Sequence, residues 1–134
     1  MSEANASSSP TAWPPGDAVQ PRVATIDREV IEAFRGLAVS AIGDVMGCCT
    51  GTVGLRQYHA RLDTVLCGLV VTVRVRPGDN LMIHKAPQMV EPGDVLVIDG
   101  GGDVSQALVG GLMRTTCVTK GLAGLVIDGA VRDL

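Results

Sequence analysis

The sequence predicts an α/β fold with a parallel sheet, on three observations. The phrase Val-Ile-Asp-Gly occurs twice, at Val97–Gly100 and Val126–Gly129, each time closing a short apolar run. An apolar run of this length that stops at Asp-Gly reads as a strand buried on both faces and ended by a turn. The copies start 29 residues apart, the length of one strand, crossover helix and strand. In the third observation, Val71, Val73 and Val75 alternate with Thr72, Arg74 and Arg76 within Cys67–Arg76, the period of a strand. Parallel strands joined by a crossover end on one edge of the sheet, where ligands of open α/β sheets bind. Asp99, Asp103, Asp128, Arg132 and Asp133 are therefore expected to converge there. Carboxylates beside one guanidinium, with glycines that let a ligand approach the backbone, suit a divalent metal holding an oxyanionic substrate. The competing reading is that the strand-end aspartates only cap turns, as Asp does routinely.

Taken in order, residues 1–24 are rich in Ser, Ala and Pro, hold no periodic apolar pattern and read as a disordered leader to a domain spanning 25–134. Val30, Ile31 and Phe34 recur at helical spacing over Asp27–Arg35, and Ser40–Met46 predicts a second short helix. Residues 47–63 have no clear period and read as loop with room for a short strand. After the Cys67–Arg76 strand, Pro77 and Gly78 turn the chain, and Asp79 caps a helix carrying Leu81, Met82, Ala86 and Met89. Pro87 inside that helix would cost ~3 kcal/mol, so it ends or kinks near Lys85. Glu91–Asp94 form the next turn. Residues 103–120 supply the crossover between the two phrases, with Gly110 and Gly111 in the middle. Each interior glycine costs ~1 kcal/mol against alanine. The cheaper arrangement starts the helix near Gly111, so that the free amides of Leu112 and Met113 point at the sheet edge; the alternative is one helix with a close-packed glycine face. Lys120 and Gly121 close it.

Composition narrows the function classes. A chain of 134 residues with 46% hydrophobic residues has enough apolar material for one domain, and with a single Trp, Tyr and Phe the core must be aliphatic. A net charge of −3 without a basic cluster argues against nucleic acid as partner, and Arg74 and Arg76 read as a solvated strand face. No apolar run approaches the ~20 residues of a membrane span, and no signal peptide is evident. Cys48, Cys49, Cys67 and Cys117 form no Cys-x-x-Cys pair, so reduced thiols in a cytoplasmic protein are expected. Ser105 stands where a dinucleotide loop would need glycine. The two lysines, Lys85 and Lys120, read as surface residues rather than Schiff-base formers, and His59 and His84 lack the spaced partners of a zinc site.

The runs Pro77–Ala86, Pro92–Asp99 with its three following glycines, and Gly129–Asp133 together resemble the RraA-like family, and within it the 4-hydroxy-4-methyl-2-oxoglutarate and 4-carboxy-4-hydroxy-2-oxoadipate aldolases. The resemblance covers roughly residues 27–134. It implies a swivelling β/β/α-type domain, a mixed sheet flanked by helices, assembled as a homotrimer with sites between subunits. It also implies a class II aldolase that splits a 4-hydroxy-2-oxo acid into pyruvate and a second oxo acid and decarboxylates oxaloacetate. The family motif is glycine, twenty residues, Arg-Asp, two residues and an acid; Gly111, Arg132 and Asp133 match its spacing. Carried over, Asp133 would ligate Mg²⁺ or Mn²⁺, Arg132 would hold the 2-oxo group, and the Leu112 and Met113 amides would bind the pyruvyl carboxylate.

Two departures from the family pattern are visible. Gly111 stands where many relatives carry an acid, and the sequence stops at Leu134, before the last acid of the motif. The resemblance therefore implies the N-terminal portion of the domain, C-terminally incomplete, with an exposed final strand and poor catalysis by this chain alone. A second class within the same family resembles the regulator of ribonuclease E activity, a non-catalytic inhibitor. Those proteins tend to lack the aspartate after the arginine, so Asp133 favours the aldolase.

Overall fold

A computed structural model describes residues 18–23, 26–48, 51–59, 61 and 63–133. Most of the leader, Cys49 and Leu134 lie outside it. Helices α1 (Arg28–Arg35) and α2 (Val39–Val45) form where the apolar spacing predicts them. The Asp27 carbonyl accepts the Val30 and Ile31 amides, and Glu29 and Arg35 match the helix dipole at the two ends of α1. Neither helix buries a residue among the described ones. Residues 51–59, 61 and 63–69 contain no strand.

Strand β1 (Val70–Arg74) is shorter than the predicted Cys67–Arg76, with Val71 and Val73 half-buried between exposed Val70, Thr72 and Arg74. It begins later because the chain before it crosses the 92–93 turn: a Cβ on Gly68 would lie 2.1 Å from the Gly93 carbonyl oxygen. Helix α3 (Leu81–Lys85) follows, with Asp79 Oδ1 accepting the Leu81 amide at 3.0 Å. It stops at Lys85 as the position of Pro87 requires. Pro87 lies in the 3₁₀ turn Ala86–Gln88, so no α-helical hydrogen bond is lost to it.

Strands β2 (Val95–Asp99) and β4 (Gly124–Asp128) carry the repeated phrase, and helix α4 (Gly111–Thr119) starts at Gly111 as the glycine cost predicts. The sheet order is β1-β2-β4, all parallel, with Val97 opposite Val126, Ile98 opposite Ile127 and Asp99 opposite Asp128. The two copies of the phrase are thus neighbours in one register. Two short strands that the sequence reading does not contain, β3 (Ala107–Val109) and β5 (Ala130–Val131), pair in parallel as a second ribbon.

The core gathers Leu96 and Ile98 of β2, Ile83 of α3, Leu108 and Val109 of β3, and Met113 of α4, all buried. Burying each such side chain contributes roughly 1.5–3 kcal/mol. Leu108 explains why both phrases end in glycine. A Cβ on Gly100 would lie 2.2 Å from its Cδ1 and one on Gly129 2.8 Å from it, so the two glycines make the space that Leu108 fills.

Asp94 is the one buried charged residue among those described. Its carboxylate accepts the Glu91 amide at 2.7 Å and takes both terminal nitrogens of Arg22. Asp94 is thus a turn cap, as the sequence suggests, and also the anchor of residues 18–23, which the sequence assigns to the leader. Burial pushes this carboxyl up, but the Arg22 and Glu91 donors and the Arg22 charge outweigh it and hold it below the ordinary carboxylate range. The thiols of Cys48, Cys67 and Cys117 are free, and no helix among the described residues is long and apolar enough to cross a membrane.

Candidate active site at the start of helix α4

Gly110, with extended backbone, precedes α4, and the first helical bond runs from the Arg114 amide to the Gly110 carbonyl at 3.0 Å. The amides of Gly111, Leu112 and Met113 lie ahead of that bond and have no acceptor within the helix. Thr115 and Thr116 turn their hydroxyls back onto the Gly111 and Leu112 carbonyls, at 2.9 and 3.0 Å, away from those amides.

The β3–β5 ribbon delivers the next two residues to this helix start. The Arg132 amide donates to the Val109 carbonyl at 3.0 Å, which extends the ribbon and lays Arg132 beside Gly110. A Cβ on Gly110 would lie 3.4 Å from both Cγ and Nε of Arg132; one on Gly111 would lie 3.1 Å from the Asp133 carbonyl oxygen. Asp133 adopts φ 57°, a left-handed conformation that Asp tolerates better than most residues. Its carboxylate stands 3.6 Å from Arg132 Nε, and both side chains are about three-quarters exposed. Gly111 and the pair Arg132 and Asp133, separated in sequence by a helix and two strands, therefore meet at one point. Leu112 projects an exposed side chain beside it, whereas the Met113 side chain is buried in the core and leaves only its amide to the site.

Such a site attracts anions. Three amides at the positive end of a helix, without an acceptor among the described residues, lie near the Arg132 side chain, and carboxylates are common partners of such donors.

The expected gathering of strand-end aspartates does not occur. Asp99 accepts Arg74 Nε at 2.8 Å and the Gly101 amide at 3.1 Å. Asp103 accepts the amide and hydroxyl of Ser105 at 3.2 and 2.8 Å. Both serve turns and a surface ion pair, which is the competing reading stated above. Asp128 is exposed beside Gly102. Among the described residues no three His, Cys, Asp or Glu side chains come together as a metal-holding group.

A family model described as RraA-like, Aldolase/RraA, matches residues 39–134. The chain is 37% identical over 106 residues to a protein of Halalkalibacterium halodurans provisionally named 4-hydroxy-4-methyl-2-oxoglutarate aldolase, covering 79% of this chain and 50% of that one. It is 44% identical over 66 residues to the 4-hydroxy-4-methyl-2-oxoglutarate aldolase of Thermus thermophilus, covering 49% and 40%. The chain thus spans about half the length of the curated relatives it matches. Among solved structures, one described as a novel cellulase from gut-associated microbes aligns with TM-score 0.58 at 22% identity, over 86% of this chain and 55% of that one, a likeness of fold alone. The RNA-processing inhibitor RraA from Thermus thermophilus aligns with TM-score 0.46 at 42% identity over 49% and 40%. With its α/β architecture and a model match over residues 39–134, the chain belongs to the RraA-like family.

Proposed function

We propose that this chain carries the pyruvate-binding part of a divalent-metal-dependent aldolase acting on 4-hydroxy-4-methyl-2-oxoglutarate or a related 4-hydroxy-2-oxo acid, with oxaloacetate decarboxylation as a second activity. The observation that supports the reading best is the closure of Arg132 and Asp133 onto Gly110 and Gly111 at the start of α4. Cleavage breaks the bond between C3 and C4: water takes the 4-hydroxyl proton as the hydroxyl becomes a carbonyl, the electron pair stays on the C3 side as pyruvate enolate, and a proton returned to C3 gives pyruvate. In this reading the Leu112 and Met113 amides hold the 1-carboxylate and Arg132 donates to the 2-oxo oxygen, where negative charge grows. Donors placed at a developing oxyanion are worth roughly 10²–10³ in rate. Decarboxylation of oxaloacetate generates the same enolate, so one arrangement serves both reactions.

One protein carboxylate at the site, Asp133, fits Mg²⁺ or Mn²⁺ rather than a dedicated all-protein cage, since Mg²⁺ commonly keeps several waters and takes one or two carboxylates plus substrate oxygens. A divalent cation held by Asp133 would supply positive charge to the developing oxyanion and would lower the pKa of bound water. A homotrimer with sites between subunits, in the cytoplasm, completes the proposal on the strength of family membership.

The test is pyruvate release from 4-hydroxy-4-methyl-2-oxoglutarate and from oxaloacetate with millimolar Mg²⁺, measured on the chain and on a chimera extended with the C-terminal half of the Thermus thermophilus relative. The chimera should be active and silenced by a chelator, and Arg132→Ala or Asp133→Ala should lower its turnover by about 10² or more while leaving the fold intact. A folded chimera without activity, or full activity in Asp133→Ala, overturns the aldolase reading and favours the ribonuclease-regulator class.

A further inference from the structure

Away from the α4 site, a groove of about 750 Å³ runs between residues 18–23 and strand β1. Val19, Val23, Val71, Val73, Met82 and Met89 give it apolar walls. Strand β1 is an edge of its sheet among the described residues, with β2 on one side only. The Leu69 carbonyl accepts the Val95 amide at 2.7 Å and the Val75 amide donates to the Asp99 carbonyl at 2.9 Å. Odd-numbered residues therefore bond toward β2. In a parallel pair this turns the amides and carbonyls of Val70, Thr72 and Arg74 outward, to the groove.

The charges on the lining have one sign. Arg22, Arg74 and Lys85 line the groove, and no Asp or Glu does. The partners of the two arginines, Asp94 and Asp99, lie outside the lining, and among the described residues Lys85 bonds only the neutral Gln88 side-chain carbonyl, at 2.5 Å.

We infer that this groove is a docking site for an extended acidic peptide, which adds to β1 as a further strand and sets its carboxylates against Lys85 and the exposed Arg74, while Arg22 stays with Asp94. A purely apolar ligand would cover the outward amides and carbonyls of β1 without satisfying them, which is unfavourable for each group left unpaired. An extended backbone supplies those partners, and side chains alternating to either side of it meet the apolar wall and the cations in turn. Pairing with β1 of a second copy is the weaker solution, because it brings Arg74 of each chain toward a cationic edge.

The test uses the full chain, ¹⁵N-labelled, with a capped six-residue peptide of alternating Val and Glu. That peptide should shift the amides of Val70–Arg74 and bind at least about tenfold more tightly than its Val/Lys counterpart or a version N-methylated at alternate amides. Lys85→Glu, on an exposed helix end, should weaken it by about fivefold or more with the circular dichroism unchanged. Equal binding of the N-methylated or Val/Lys peptides, shifts confined to other residues, or absence of binding overturns the proposal. Concentration-dependent dimerisation through β1 in sedimentation would assign the edge to a second copy and overturn it as well.

Discussion

Strands β2 and β4 contain the same four-residue phrase in the same register rows, yet the sheet treats them differently. Ile98 is 1% exposed, whereas Ile127 opposite it is only half-buried. Asp99 is held by Arg74 and the Gly101 amide; Asp128 has no side-chain bond among the described residues. Gly100 is needed for the space it leaves to Leu108 and to the Asp128 carbonyl. Gly129 is needed for that space and also for a φ of 155° that other residues rarely adopt. The local words are the same, so the difference comes from the neighbours: among the described residues β2 has a strand on each side, β4 on one. Burial and the fate of a strand-end carboxylate are set by sheet order, which no window of sequence encodes.

The comparison can be broken most directly at its isoleucines. Ile98→Ala should cost about 4 kcal/mol and Ile127→Ala about 2 kcal/mol in urea unfolding, because a fully enclosed site cannot collapse around the missing atoms as a half-open one can. Equal losses would mean that β4 is as enclosed as β2. The next effect lies one residue before each strand, where buried Asp94 stands opposite Ala123 and accepts its amide on the main-chain oxygen at 2.8 Å. Asp94→Asn should cost about 2–3 kcal/mol at pH 7, since it leaves Arg22 without its charged partner. The folded carboxyl titrates below its ordinary value. The contribution of the pair is therefore complete above the ordinary carboxylate pKa of about 3.9 and fades as pH falls through the lowered folded value, so stability curves of parent and variant should converge in acid. The smallest effect separates the aspartates: Asp99→Asn should lose under about 1 kcal/mol and Asp128→Asn close to nothing, as exposed pairs do. A larger loss at Asp128 would reveal a partner that the present contacts do not include.

What was legible in the sequence follows the same division. Glycine and proline acted locally, so Pro87 marked the end of α3 at Lys85, and Gly110–Gly111 marked the start of α4. Valine alternation found β1, though its pairing begins at Val70 because Gly68 is pressed against Gly93. Strands β3 and β5, of three and two residues, are too short to show a period. Arg22 finds Asp94 across 72 residues, a pairing with no local signal beyond an acidic residue leading into an apolar run. At the candidate site, Gly111, Arg132 and Asp133, the residues to which the family resemblance points, lie side by side in the fold. The crossover argument, which gathers Asp99, Asp103 and Asp128 with Arg132 and Asp133, fails at Asp99 and Asp103 because their nearest turn amides compete successfully for the carboxylates.

The parallel register carries a kinetic consequence. Partners in β1–β2 are 25 residues apart in sequence and those in β2–β4 are 29 apart, from Val70 opposite Val95 and Val95 opposite Gly124. No hairpin can nucleate such a sheet; each pairing must wait for a closed loop of that size, and its entropy is lost before the ladder forms. During synthesis β2 leaves the ribosome with only β1 to pair with, and its second flank stays open until α4 and Asp128 have followed. Leu108, which needs Gly100 and Gly129 both in place, can lock only then. Slow formation of this sheet and a window of exposure along β2 are the price of building one layer from strands that all point the same way.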